Sequence, residues 1–223
     1  MYKELVLNND PKSIISETIR TLRTNLQFAS VDKKLRTILI TSSVPGEGKS
    51  FIAANLAVAF AQSGTRVLLV DCDIRKGRQH YIFDSHNHKG LSNLLLENVR
   101  EKYLEYIQET NIKNLSVMFR GVTPPNPSEL LGSAKNKELI EILKEAYDLV
   151  IFDSAPVNGG LTDSLIMSTL VDGVVIVSVH KETPASLLKT TKKSLENVNA
   201  NVLGTVLNRA STGSKKYYGH YYG

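Results

Sequence analysis

The octapeptide Ser43-Val44-Pro45-Gly46-Glu47-Gly48-Lys49-Ser50 constrains this chain more than any other feature. It follows a short apolar, β-branched run at 36–41 (RTILIT) and opens a long apolar stretch that stops at Gly64. Strand, glycine turn and helix in that order build an anion nest. Gly46 and Gly48 let backbone amides turn inward, and the helix N-terminus adds its positive end. Lys49 is placed to reach the β- and γ-phosphates of ATP, and the Ser50 hydroxyl to ligate Mg²⁺. The expected ATP-binding residues are Pro45, Gly46, Glu47, Gly48, Lys49, Ser50 and Phe51. One position departs from G-x-x-x-x-G-K-[ST]. Ser43 stands where the first glycine belongs, so the loop entry must manage without a free positive φ.

Two further apolar runs end in carboxylates: Leu68-Leu69-Val70-Asp71-Cys72-Asp73 and Val150-Ile151-Phe152-Asp153. Ligands of open parallel sheets bind at the carboxyl ends of strands. With both strands beside the one that precedes the phosphate loop, Asp71, Asp73 and Asp153 would converge with Ser50 on the metal. Hard Mg²⁺ suits a few oxygen donors and keeps several waters. Strands are also expected at 66–70, 115–119, 174–179 and 202–207, with helices between, including one at 135–147. Near-continuous Val/Ile/Leu strands alternating with helices read as an α/β fold of the P-loop NTPase type, a mostly parallel sheet covered on both faces.

At the start, Asp10-Pro11 reads as an N-cap with proline at the first helical position, before Ile14, Ile15, Ile19, Leu22 and Leu26 at helical spacing up to about residue 30. The middle, 75–114, reads as loops with two helices. Three prolines make 123–128 (TPPNPS) a rigid loop. His80, His86 and His88 read as loop residues, and Cys72 as a packing residue.

With 42% apolar and 22% charged residues the chain is neither disordered nor fibrous. One cysteine excludes an internal disulfide and points to a reducing, cytoplasmic setting. No apolar run approaches the roughly 20 residues that cross a bilayer. The net charge of +5 resides wholly in residues 181–223, with seven basic and two acidic groups. Four of nine tyrosines, Tyr217, Tyr218, Tyr221 and Tyr222, lie in six residues at the C-terminus. The expected organisation is one domain, 1–210, and a flexible tyrosine-rich tail, 211–223, with no nucleic-acid partner.

The phosphate loop, Leu-Leu-Val-Asp-x-Asp-x-Arg at 68–75, Leu-Val-Ile-Phe-Asp at 149–153, Pro-Pro-Asn-Pro-Ser-Glu-Leu-Leu at 124–131, Glu17-x-x-Arg20-x-x-Arg23 and the terminal tyrosines resemble the bacterial tyrosine kinases of capsule and exopolysaccharide operons. The short length resembles their Gram-positive form, whose activator is a separate transmembrane protein. Partitioning and division-site ATPases are the alternative. Their Lys-Gly-Gly-x-Gly-Lys-[ST] would place a lysine at position 44, where this chain has Val44 followed by Pro45.

The resemblance implies an ATP- and Mg²⁺-dependent protein tyrosine kinase that regulates polysaccharide synthesis. Catalytic roles would fall to Lys49, Asp71, Asp73 and Asp153, with Asp71 or Asp73 as the base. The acceptors would be Tyr217, Tyr218, Tyr221 and Tyr222, phosphorylated between neighbouring subunits. Glu17, Arg20 and Arg23 share one helix side by spacing, and the resemblance makes them contacts of a ring. Implied partners are the membrane activator, which would recruit the chain to the inner membrane face, and substrates such as sugar-nucleotide dehydrogenases or glycosyltransferases. Asn208 stands at the end of the last strand, where related folds contact adenine; it reads equally as a turn residue.

Overall fold

In the computed structural model, which describes residues 2, 4–29, 35–159 and 162–210, the elements run α1 (Val6–Asn9), α2 (Ile14–Phe28), β1 (Thr37–Ser42), α3 (Lys49–Gln62), β2 (Val67–Asp71), α4 (Gln79–Ile82), α5 (Leu91–Leu94), α6 (Val99–Lys102), β3 (Gln108–Glu109), β4 (Leu115–Met118), α7 (Pro127–Gly132), α8 (Ala134–Ala146), β5 (Leu149–Asp153), α9 (Asp163–Ser168), β6 (Gly173–Val179), α10 (Ala185–Asn197) and β7 (Val202–Asn208).

The seven strands form one sheet in the order β3-β4-β2-β5-β1-β6-β7. Every pairing is parallel except β3 with β4. Strands β1, β2, β5 and β6 are buried along their whole length, as strands covered on both faces must be. Their side chains alternate between two cores. Ile38, Ile40, Leu69 and Ile151 meet α1, α2 and α3 in one; Leu39, Leu68, Val70 and Phe152 meet helices α5 to α10 in the other. Helix α3 is Ala-rich and buried almost all round, which suits a helix lying flat on a sheet beneath α2.

Four expectations about the fold change. The N-cap of α2 is Ser13, whose hydroxyl accepts the Ser16 N–H at 3.2 Å. Asp10-Pro11 instead terminates the four-residue α1, because Ser13 has the extended backbone a cap needs and lies one residue before the apolar period begins. The segment 123–128 is not loop throughout: Pro127 starts α7. Proline is tolerated in the first turn, where its missing N–H would be unbonded in any case. Finally, β5 lies between β1 and β2, so only one acidic strand adjoins β1. The middle holds three short helices and an antiparallel edge strand rather than two helices.

Replacing Ser13 by Ala is expected to lower unfolding free energy by about 1 kcal/mol, and Asp10→Ala by less than half of that. Urea titrations of the two variants check the assignment of the cap.

Candidate active site

The phosphate loop joins β1 to α3, with Gly46 at φ 86° and Gly48 at φ 92°. A Cβ on Gly48 would lie 2.2 Å from Asn208 Nδ2, so glycine is needed there for its backbone and for space. Ser43 is buried and is not among the residues with positive φ. Its hydroxyl lies 2.8 Å from Thr191 Oγ1, and its carbonyl accepts the Asn158 N–H at 3.0 Å. Neighbouring elements thus hold the loop entry, and no left-handed residue is required.

The loop is braced from the β6–β7 side. The buried Glu47 carboxylate accepts the Val44 N–H at 2.9 Å and the Thr183 hydroxyl. Asn208 Nδ2 donates to the Glu47 carbonyl at 2.9 Å, while its Oδ1 accepts the Arg209 N–H. Arg209 donates to the Gly46 carbonyl at 2.9 Å and pairs with Glu182 at 3.2 Å. Both ends of the Asn208 amide are therefore used inside the protein, which favours the turn-and-brace reading of this residue. Phe51 packs its ring on the first core. Beside Pro45 and Gly46, a cleft of about 430 Å³ is lined also by Thr183, Pro184, Leu187 and Arg209. A larger cavity, about 630 Å³, lies at the opposite ends of the strands, lined by Leu26, Phe60 and Leu149 among others. It gathers none of the expected catalytic residues.

The acids do converge. Asp71 and Asp153 are register partners across β2 and β5. Lys49 Nζ lies 3.0 Å from Asp73 and 4.0 Å from Asp153. Burial opposes the charge on Lys49, but Asp153, Asp73 and Asp71 together outweigh it and hold its pKa above the usual lysine value. Burial raises the Asp153 carboxyl against the favourable influence of Lys49, Ser50 and Gln79. It raises Asp71 further, with Asp153 adding to the effect. The segment 74–79 roofs Asp71: its Oδ2 accepts the Gln79 N–H at 3.0 Å, and a Cβ on Gly77 would lie 2.1 Å from its Oδ1. Asp73 Oδ1 accepts the Lys76 N–H at 2.9 Å. Cys72 is buried between the acids, and burial pushes its thiol well up. That keeps it the unreactive packing residue expected.

This roof is tied down by residues the sequence reading did not single out. Arg75 makes a two-pronged pair with the buried Asp163 at 2.7 and 3.3 Å, and Ser128 bonds the same carboxylate at 2.5 Å. Arg120 donates to the carbonyls of Gly77 and Ile74 at 3.2 and 3.4 Å. Arg75 closes the D-x-D-x-R motif and Ser128 belongs to PPNPSELL, so both were visible as pattern but not as a pair. His80 sits buried in α4 rather than in a loop; among the described residues no group of three His, Cys, Asp or Glu forms a metal cage by itself, so a cation at the acids would also need hydroxyl, phosphate or water oxygens. On α2, Arg20 pairs with Glu17 at 2.5 Å and reaches the Pro11 carbonyl. Arg23 donates to the Ala59 carbonyl of α3 at 3.2 Å. Tyr217, Tyr218, Tyr221 and Tyr222 lie outside the described residues.

Sheet, loop and acidic strand ends define a P-loop nucleotide-binding domain. A family model described as an AAA domain matches residues 35–203. The putative tyrosine-protein kinase CapB of Staphylococcus aureus is 39% identical over 219 residues, 98% of this chain and 95% of that protein. The tyrosine-protein kinase YwqD of Bacillus subtilis is 40% identical over 221 residues, 99% and 92% of the two chains. The crystal structure of the chimerical protein CapA2B2 matches with TM-score 0.88 at 43% identity, covering 94% of this chain and 91% of that one. The chain belongs to the bacterial tyrosine-protein kinases. The cell division ATPase MinD of Pyrococcus furiosus shares the fold alone, with TM-score 0.66 at 24% identity.

A carboxyl whose pKa is raised in the folded protein holds a proton that the unfolded chain has released, so its contribution to stability falls as pH rises above about 4. Asp71→Asn removes that penalty. Its melting temperature at pH 7 is expected to exceed that of the unaltered chain by at least about 2 °C. The gap should close as pH is lowered toward 4, as followed by calorimetry.

Proposed function

We propose that this chain transfers the γ-phosphoryl group of ATP to protein tyrosines with Mg²⁺, and that its own Tyr217, Tyr218, Tyr221 and Tyr222 are acceptors presented to a neighbouring subunit. The observation that carries the reading is the meeting of Lys49 with Asp73 and Asp153 beside the glycine loop. The donor set fits the cation. Ser50 lies near enough to Asp153 to favour its charged form, the Oδ1 atoms of Asp71 and Asp153 are buried without a hydrogen-bond partner, and hydroxyl and carboxylate oxygens are what Mg²⁺ binds. When bound, the cation offsets phosphate charge and orients the transferring group.

The chain's own groups do the rest. Loop amides and Lys49 hold the phosphates in line for attack. The tyrosine oxygen bonds to the γ-phosphorus as the bond to the β-phosphate oxygen breaks, leaving ADP. The phenolic proton passes to a carboxylate, Asp71 or Asp73. Glu47, Asn208 and Arg209 keep the loop in its binding shape throughout.

The thirteen residues 211–223 span at most roughly 45 Å when extended, enough to reach an adjacent site in a ring built through Glu17, Arg20 and Arg23. Each phosphate adds about −1.5 to −2 charges, so crowded phosphorylated tails would repel and loosen that ring. No helix among the described residues is long and apolar enough to cross a membrane. In this reading the chain works in the cytoplasm, is brought to the membrane and stimulated by a transmembrane activator, and controls capsular or extracellular polysaccharide synthesis through substrates such as sugar-nucleotide dehydrogenases or glycosyltransferases.

Lys49→Met is expected to lower phosphotyrosine formation at least about 100-fold with an unchanged circular dichroism spectrum. Mixed with an active chain lacking 211–223 and with the activator, the Lys49→Met chain should gain phosphate on its tail, as read by mass spectrometry. An unmodified tail there, or release of inorganic phosphate alone, would overturn the proposal. Light scattering tests the ring: a joint Glu17→Ala, Arg20→Ala and Arg23→Ala variant should give a monomer where the unphosphorylated original gives an oligomer.

A further inference from the structure

We propose that Gln79 is part of the metal–nucleotide site as a positioning residue: its amide nitrogen fixes the Asp153 carboxylate, and its amide oxygen accepts a hydrogen bond from a water carried by the cation. The inference rests on reading this site as a Mg²⁺–nucleotide site.

Gln79 is the first residue of α4 and is completely buried. A buried side-chain amide is unfavourable unless it is hydrogen-bonded, and here it ties together three elements. Its backbone N–H donates to Asp71 Oδ2 of β2 at 3.0 Å. Its Nε2 donates to Asp153 Oδ2 of β5 at 2.8 Å and to the Ser50 carbonyl of α3 at 3.1 Å. Those two acceptors fix which end of the amide is nitrogen, since a carbonyl oxygen could bond neither. Both amide protons are thereby used.

The other end of the amide is not satisfied. Gln79 Oε1 is buried and has no partner among the described residues, and the same holds for Asp153 Oδ1 as regards hydrogen bonds. Both atoms belong to side chains that are bonded to each other. Nearly every buried acceptor in a protein finds a donor. No described residue donates a hydrogen bond to either, Lys49 approaching Asp153 Oδ1 only to 4.0 Å, and the position of Asp153 beside Asp71, with Ser50 near enough to favour its charge, marks the place as the expected cation position. Mg²⁺ keeps several of its waters, and each has protons to give. Outer-sphere partners of this kind typically govern metal affinity by 10–100-fold.

The test is calorimetric titration of the full-length chain with ADP, once in excess Mg²⁺ and once in EDTA. Gln79→Met keeps nearly the same volume without the polar atoms. It is expected to weaken Mg²⁺-ADP binding about tenfold while leaving ADP binding in EDTA within about twofold. A loss of equal size in both conditions would overturn the proposal, because it would mean a deformed phosphate loop or an ordinary buried water. No loss in either would overturn it too. If the unaltered chain itself shows no Mg²⁺ dependence, the metal reading of the site fails; if only the variant fails to lose that dependence, Gln79 alone is misassigned. Should Gln79→Met not fold, the side-chain amide resonance of Gln79 in the unaltered chain decides. It must shift when Mg²⁺ joins the ADP complex, and an unmoved resonance refutes the role.

Discussion

Three carboxylates and one ammonium share a buried pocket at the C-terminal rim of the sheet, and the surrounding structure is arranged to make that tolerable. Taking an ion out of water costs several kcal/mol even after relaxation. Lys49 can compensate only part of the charge of Asp71, Asp73 and Asp153. The remaining charge is disfavoured by burial, which raises the Asp71 pKa, and is eased by donors aimed at the oxygens: the N–H of Gln79, the N–H of Lys76, the Nε2 of Gln79. Such a cluster is poor design for stability and suits a cation, which brings the positive charge it lacks.

Holding the cluster requires the roof 74–79 to stay closed over Asp71, and the roof's anchors explain motifs that otherwise have no task. Arg75 reaches across to Asp163 at the start of α9, and Ser128 completes that bond from the first turn of α7. Proline at the head of α7 makes sense in this light: it starts a helix at the point where Ser128 must face Asp163. Gly77 has no side chain because the Asp71 carboxylate occupies that volume. A salt bridge with one partner almost wholly buried is worth more than the exposed pairs on α6 and α10, which contribute little.

What could be read from the sequence followed from short-range physics. Continuous apolar strands, a glycine loop before an Ala-rich helix and Gly64 as a stop are local signals, and the strands and α3 formed within a residue or two of expectation. Long-range pairings were not legible. Nothing local in Arg75, Glu47 or Gln79 says that their partners are Asp163, Thr183 and Asp153, tens of residues away. Ser13 over Asp10 is a choice between two good caps that differ only in which suits the chain's path into α2. Strand order was the other gap: each acidic strand end was evident, but the insertion of β5 between β1 and β2 depends on the whole sheet.

That order accounts for the division of labour in the site. From β1 the chain crosses to β2 and β4 on one side; after β5 fills the gap, β6 and β7 continue on the other. Connections diverge at β1, and a crevice opens where they part, at the carboxyl ends of the strands. The phosphate loop leaves β1 into that crevice. One half of the sheet then supplies charge, through Asp71, Asp73 and Asp153. The other supplies shape, through Thr183 after β6 and Asn208 and Arg209 at the end of β7, which grip the carbonyls and carboxylate of Gly46 and Glu47. β7 is an edge strand and only half-buried. Changes at Asn208 or Arg209 therefore act on how the loop is held, while changes at the acids act on the charge the site presents.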